Sequence, residues 1–347
     1  MVEERDEEEA SEKGKSGGST EVALLEKAKA ARGKLAAAVA TRVVGQADVI
    51  DLMLVSLLAR GHALLVGVPG LAKTLLVATL AEALDLEFGR VQFTPDLLPA
   101  DITGTDVLHE EEDESGRSRR RVRFQPGPIF HNLILADEIN RTPPKTQSAL
   151  LEAMEERQVS VDGVSRPLPD PFLVAATMNP IEYEGTYMLP EAQLDRFLLK
   201  LTLDVPERDV EIAVLARHAA GFNPRDLDAA GVTAVLGAAQ LHEAQAAVAR
   251  VGASVDVLAY AVDLARATRQ SPSVKLGVSP RGSTALLAAA KAWAWLNGFE
   301  RITPDHVQAM VLPVFRHRIQ LRPEAELEGV SVDSILRGVL SQVQVPI

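Results

Sequence analysis

The chain has 347 residues, 47% of them apolar, and a net charge of −12. That is enough apolar material for more than one core, and the acidic balance argues against broad adhesion to nucleic-acid phosphates or anionic lipid. There is no cysteine, which excludes disulfides and thiolate-ligated zinc. An apolar leader and any run of roughly 18 uncharged apolar residues are also lacking, so a cytoplasmic protein with no membrane span is expected.

Residues 1–20, "MVEERDEEEASEKGKSGGST", offer almost nothing to bury and are expected to form a disordered acidic tail. From Glu21 to Thr41 apolar residues recur at helical spacing. "VVGQADVIDLMLVSLLARG" then predicts a second helix after the break at Gly45 and Gln46. Five short apolar runs follow, "HALLVGV", "EFGRVQF", "NLILADE", "FLVAATMN" and "FLLKLTL", separated by helix-length segments. Apolar strands alternating with helices predict a parallel sheet covered on both faces, so residues 21–206 are expected to form an α/β domain. Two segments interrupt the pattern. "TDVLHEEEDESGRSRRRVRF" has an acidic and a basic arm, which predicts a hairpin with cross-strand charge pairs, and "QVSVDGVSRPL" carries the Asp162–Gly163 turn signal. After Pro206 only helical patterns remain, several opened by Ser, Thr or Pro, so residues 207–347 are expected to form a separate helical lid domain.

"GVPGLAKT", Gly67 to Thr74, sits between a strand and a helix. Gly67 and Gly70 permit a tight backbone path, successive N–H groups converge, and the following helix contributes its positive end, which together suit phosphate groups. Lys73 would reach the β- and γ-phosphates and the Thr74 hydroxyl would ligate Mg²⁺; Ala72 stands where the usual pattern has its last glycine. "NLILADEIN" ends an apolar strand in Asp137 and Glu138, one carboxylate suited to the Mg²⁺ shell and the other to polarising water. Asn179 ends "LVAATMN", where its amide would orient that water. "PEAQLDRF" offers Arg196 and "SPRGSTALL" offers Arg281, candidates for stabilising charge on the transferred phosphoryl group, from a neighbouring subunit in particular. Trp293 and Trp295 lie two apart in a helical segment and point to packing rather than base stacking. The basic cluster "RSRRRVR" is expected to pair with its own acidic arm.

Gln46 in "VVGQ", "GVPGLAKT", "LILADEINR", "ALLEAMEERQVSVDG", "ATMNP", "LPEAQLDRF" and "GVSPRGSTALL" occur in the order and approximate wording of the MoxR family of AAA+ ATPases. The chain resembles that family from about residue 40 to 345. The resemblance implies an AAA+ core with a helical lid, ATP and Mg²⁺ as cofactors, and a nucleotide held by Gln46 near the adenine and by Gly67, Val68, Pro69, Gly70, Leu71, Ala72, Lys73, Thr74 and Leu75. It further implies Mg²⁺ on Thr74 and Asp137, and catalytic work by Lys73, Glu138 and Asn179. Arg196 would be a finger acting on a neighbouring subunit, and Arg281 would reach from the lid to the nucleotide. A ring homo-oligomer, usually a hexamer, would remodel or activate a client protein in chaperone-like fashion, with a von Willebrand factor A domain protein as partner and nucleic acid not expected. A magnesium-chelatase-like subunit, a nucleic-acid translocase and an ATP-regulated scaffold with little turnover stand as alternatives. The chain departs from the family pattern at Met178, where Gln is expected, and at Met188, where Pro is expected.

Overall fold

The computed structural model describes residues 26, 29–112, 118–179, 186–223 and 231–346. The acidic tail and the tip of the first hairpin lie outside them. Helix α1 (residues 29–40) buries Leu35 and Val39. The chain then runs through α2 (Ala47–Leu58), β1 (Ala63–Val66), α3 (Lys73–Ala83), β2 (Phe88–Gln92) and α4 (Pro99–Thr103). The hairpin β3 (Gly104–Glu112) and β4 (Ser118–Pro126) precedes β5 (Leu133–Asp137) and α5 (Pro144–Glu156). A second hairpin, β6 (Gln158–Val161) and β7 (Val164–Pro167), precedes β8 (Leu173–Met178), α6 (Glu191–Leu194) and β9 (Leu199–Thr202).

Five strands form one sheet in the order β2, β5, β8, β1, β9, with every pairing parallel. Because strand side chains alternate, each strand feeds two cores. Leu65, Leu133, Leu135, Ala175 and Leu201 enter one, shared with α2, α3 and the C-terminal helices. Leu64, Ile134, Ala136, Val174 and Ala176 enter the other, beneath α5 and Phe197. Continuous apolar runs are what a sheet covered on both faces requires.

Both expected hairpins form, and Val161 pairs with Val164 across Asp162–Gly163. Glu110 lies opposite Arg120, and the pair closes at 2.8 Å. The two hairpins brace each other: Arg166 of β7 lies 3.6 Å from Asp106 and its guanidinium sits 3.7 Å from the centre of the Phe124 ring.

Beyond β9 come α7 (Arg208–Ala219), α8 (Ala238–Arg250), α9 (Val255–Gln270), β10 (Val274–Leu276), α10 (Pro280–Leu296), α11 (Pro304–Phe315), β11 (Gln320–Leu321), α12 (Pro323–Leu327) and α13 (Val332–Gln342). Strand character does not stop at Pro206 as expected: β10 and β11 form a small antiparallel pair. Three and two residues are too few for periodicity to announce. Serine hydroxyls open helices here, with Ser254 accepting from the Val257 N–H and Ser279 from the Gly282 N–H. Trp295 is buried, whereas Trp293 lies beneath the Arg32 guanidinium, 5.1 Å from the ring centre, and that guanidinium also donates to Asp51 at 2.7 Å. Among the described residues no helix is long and apolar enough to cross a membrane.

Among the described residues His62, His306 and His317 are buried. The His62 Nδ1 accepts from the Val174 N–H at 3.0 Å, and its Nε2 lies 3.2 Å from the Met154 carbonyl oxygen, which makes Nε2 the protonated nitrogen. Burial pushes His62 down to about 4, from the ordinary 6.5. Above 6.5 the ring is neutral in both folded and unfolded chains; as the pH falls from 6.5 towards 4, only the unfolded chain takes up the proton. His62 should therefore withdraw stability at about 1.4 kcal/mol per pH unit across that window, about 3 kcal/mol in all. Urea denaturation between pH 7.5 and pH 4 should show this slope, and it should be shallower in His62→Gln.

Candidate functional site

The loop from Gly67 to Ala72 leaves the carboxyl end of β1 and turns into α3. A Cβ on Gly67 would lie 2.7 Å from the Leu203 carbonyl oxygen, so a residue without a side chain is needed where the loop presses on the chain leaving β9. Gly70 takes φ +88, which glycine adopts without strain. Ala72 takes φ 54 in the left-handed region, at a cost of about 1 kcal/mol, so the loop keeps its shape despite the departure from glycine. The first-turn N–H groups of α3 have no intrahelical acceptors and open on the cavity the loop encloses. The Lys73 ammonium donates to the Gly67 carbonyl at 2.5 Å. Burial lowers its pKa, opposed by the nearby carboxylates of Asp137 and Glu138.

The strand-end carboxylates are held from three sides. Asp137 accepts from the Thr177 hydroxyl at 2.7 Å on one oxygen and from Arg90 at 2.7 Å on the other. Glu138 turns into the left-handed region at φ 58, its N–H donates to the Thr177 hydroxyl oxygen at 2.8 Å, and its carboxylate accepts from Gln92 at 3.0 Å and Arg141 at 3.1 Å. Gln92 stands directly opposite Asp137 in the β2–β5 register. Thr177, 1% exposed, thus fixes the Asp137 carboxylate and the Glu138 backbone from the neighbouring strand. Thr177, Gln92 and Arg90 were not singled out from the sequence. Their only signal is a polar side chain at the end of a buried strand.

Val68, Pro69, Gly70, Leu71, Ala72, Lys73, Thr74, Leu75, Asp137, Glu138 and Asn179 line one cleft of about 1090 Å³, with Gln46 at its edge. The Gln46 side-chain amide donates to the Leu71 carbonyl at 2.9 Å, tying the segment before α2 to the loop, and its Oε1 is buried without a partner among the described residues. The far wall, unforeseen from sequence, comes from Val205 and Pro206 and from Leu215 and His218 of α7, with Phe222 just beyond. No residue of α7 is buried, and of its apolar side chains Val214 and Leu215 line this opening.

The residues fit a triphosphate with a divalent cation. A Lys-bearing loop of converging N–H groups suits the phosphates, while the Thr74 hydroxyl and the Asp137 carboxylate are hard oxygen donors of the type Mg²⁺ takes.

Arg196 and Arg281 are not among the residues that line the cleft. Both converge on Glu155 near the end of α5. Arg281 donates to its two oxygens at 2.8 and 3.1 Å, and Arg196 lies 3.8 Å away while donating to the Leu151 carbonyl at 2.5 Å. The hydrogen bond from Arg281 holds the Glu155 carboxyl below the usual range, against burial. Met178, partly buried, packs against the second core, and Met188 is exposed.

The model of the ATPase family associated with various cellular activities (AAA) matches residues 62–199, and that of the AAA lid domain matches residues 266–339. The chain is 46% identical to the YeaC protein of Bacillus subtilis over 305 residues, 88% of this chain and 92% of that protein. It is 40% identical over 313 residues to the chaperone MoxR1 of Mycobacterium tuberculosis, covering 88% and 79% of the two chains. A crystal structure from Cytophaga hutchinsonii, described as a candidate ATPase, superposes with a TM-score of 0.81 at 38% identity, over 93% of this chain and 98% of that one.

Replacing Thr177 by Val keeps the shape but strips the Glu138 N–H and one Asp137 oxygen of their partner. The expected loss of stability is about 1–3 kcal/mol. Urea denaturation should find it in Thr177→Val and leave Thr177→Ser close to the parent.

Proposed function

Because the chain belongs to the MoxR family of AAA+ ATPases, we propose that it hydrolyses ATP in a cleft completed by a neighbouring subunit, and that the resulting change in subunit packing remodels or activates a client protein. The observation that carries this reading is the separation of two sets of groups. The loop, Asp137, Glu138 and Asn179 line one cleft, whereas Arg196 and Arg281 gather elsewhere around Glu155. The arginines at the cleft are already engaged, Arg42 with Glu82, Arg217 with the Ala40 and Thr41 carbonyls, and Arg90 and Arg141 with the strand-end carboxylates, so in this reading the arginine for the transferred phosphoryl group comes from the other set.

In this reading the triphosphate settles on the N–H groups of Gly70 to Thr74, and Lys73 exchanges the Gly67 carbonyl for phosphate oxygens. Thr74 and Asp137 would hold Mg²⁺, which would supply charge neutralisation at the phosphate oxygens. Glu138 leaves Gln92 or Arg141 to accept a proton from the attacking water, which the Asn179 amide orients. Arg196 and Arg281 of the adjacent subunit meet the γ-phosphate, so turnover depends on assembly. Gln46 and the apolar wall of α7 flank the base. A hexameric ring, the core and lid acting as hinged units divided near residue 206, and a von Willebrand factor A domain partner complete the proposal.

Steady-state ATPase rate against protein concentration tests it. The parent's specific activity should rise with concentration as subunits meet. Lys73→Ala should abolish it, and Arg196→Ala should lower kcat by about 10³-fold or more while nucleotide binding persists. Glu138→Gln should also retain ATP and lose about 10²- to 10⁴-fold in rate. A specific activity independent of concentration and insensitive to Arg196→Ala would overturn the shared-site reading.

A further inference from the structure

Arg318 follows α11 and is 8% exposed, yet its guanidinium donates in every direction. Nε donates to the Asp195 carboxylate at 2.6 Å, Nη2 to the backbone carbonyls of Phe197 at 2.7 Å and Asp195 at 3.2 Å, and Nη1 to those of Leu198 at 3.2 Å and Val314. Asp195 and Phe197 are the two neighbours of Arg196. A side chain from the C-terminal helices therefore grips the backbone on both sides of the residue expected to serve the adjacent subunit. The adjoining His317 supports the same carbonyl, its Nε2 lying 2.9 Å from the Phe197 oxygen.

The other end of Arg318 meets Arg281's own helix turn. A Cβ on Gly282 would lie 3.0 Å from Arg318 Cδ and 2.5 Å from Val278 Cγ1, so the missing side chain is the channel through which the Arg318 stem passes under the first turn of α10. One residue earlier on that turn, Arg281 holds Glu155, which also attracts Arg196. Burial lowers the Arg318 pKa and Asp195 opposes it, with Arg281 adding repulsion. A buried cation is costly, and an apolar residue of similar size often packs at least as well. What an apolar residue lacks is the planar fork that fixes several oxygens at once.

We propose that Arg318, with Asp195 as counter-ion, is a positioning residue that sets Arg196 and Arg281 as one unit for the adjacent subunit's cleft. It rests on the reading that these two arginines act between subunits. Motion of the C-terminal helices then moves both arginines together, because one side chain reaches from the segment before β9, gripped by its guanidinium, to the start of α10, met by its stem.

A mixing experiment separates this from a merely structural rivet. Lys73→Ala subunits have a dead cleft and an intact arginine face; Arg196→Ala and Arg318→Ala subunits have the reverse. Arg318→Ala alone should lose about 10²-fold in kcat, the scale of an ångström's misplacement. Its affinity for a fluorescent ATP analogue should be unchanged. Addition of Lys73→Ala subunits should restore ATPase activity above the sum of the two, as it should for Arg196→Ala. Arg318→Lys keeps the charge and stem but not the fork, and should show the same pattern in milder form; it carries the test where Arg318→Ala does not fold. Rescue of Arg196→Ala without rescue of either Arg318 variant would overturn the role of Arg318 alone. Failure to rescue Arg196→Ala would overturn the shared-site reading, and this inference with it.

Discussion

The parallel register of β5, β8 and β1 is the constraint on which the site depends. Three strands running the same way deliver their following residues to one edge of the sheet: the loop after β1, Asp137 and Glu138 after β5, and Asn179 after β8. Ala136 pairs with Ala176 and Val66 with Met178, which sets Thr177 beside Asp137 and the loop beside both. Register is held by alternate burial, since a slip of one residue would exchange the two cores and carry Asp137 to the other face. The apolar strands are therefore positioning devices as well as core.

Charge is arranged in two separate clusters. At the cleft, Lys73, Arg90 and Arg141 face Asp137 and Glu138, each ion held by a partner that a bound triphosphate and its cation would displace or share. Around the end of α5, Arg196, Arg281 and Arg318 face Glu155 and Asp195. Against an overall charge of −12, that second cluster is a local excess of arginine, with Arg318 buried beneath Arg196 and Arg281. Within one chain the two clusters are kept apart.

The remaining contacts stiffen the frame that carries these clusters. Arg166 joins the two hairpins through Asp106 and the Phe124 ring, and Arg32 ties α1 to α2 through Asp51 and to α10 through Trp293. The Gln245 amide donates to the Leu57 carbonyl at 2.8 Å, bonding α8 to the end of α2. Each is a polar side chain whose apolar stem is buried and whose head satisfies a distant partner, so the helices beyond β9 rest on the sheet's own core rather than on a separate one.

Local chemistry was legible in the sequence. Runs such as "LILAD" announce buried parallel strands, Gly67 and Gly70 before a helix announce an anion cradle, and an Asp-Gly pair announces a hairpin, because each depends on neighbours a few residues apart. Thr177 gave no such signal, since its value lies in touching two residues of another strand, forty residues away in sequence. The two-stranded β10–β11 pair, the α7 wall of the cleft and the grip of Arg318 on Asp195 were equally invisible. Arg281 shows the division most plainly: sequence marks it as an arginine on the first turn of a helix, but which way that helix faces is decided by packing between distant segments. Spacing along the chain fixes what a residue can do, and only the folded arrangement decides beside which groups it does it.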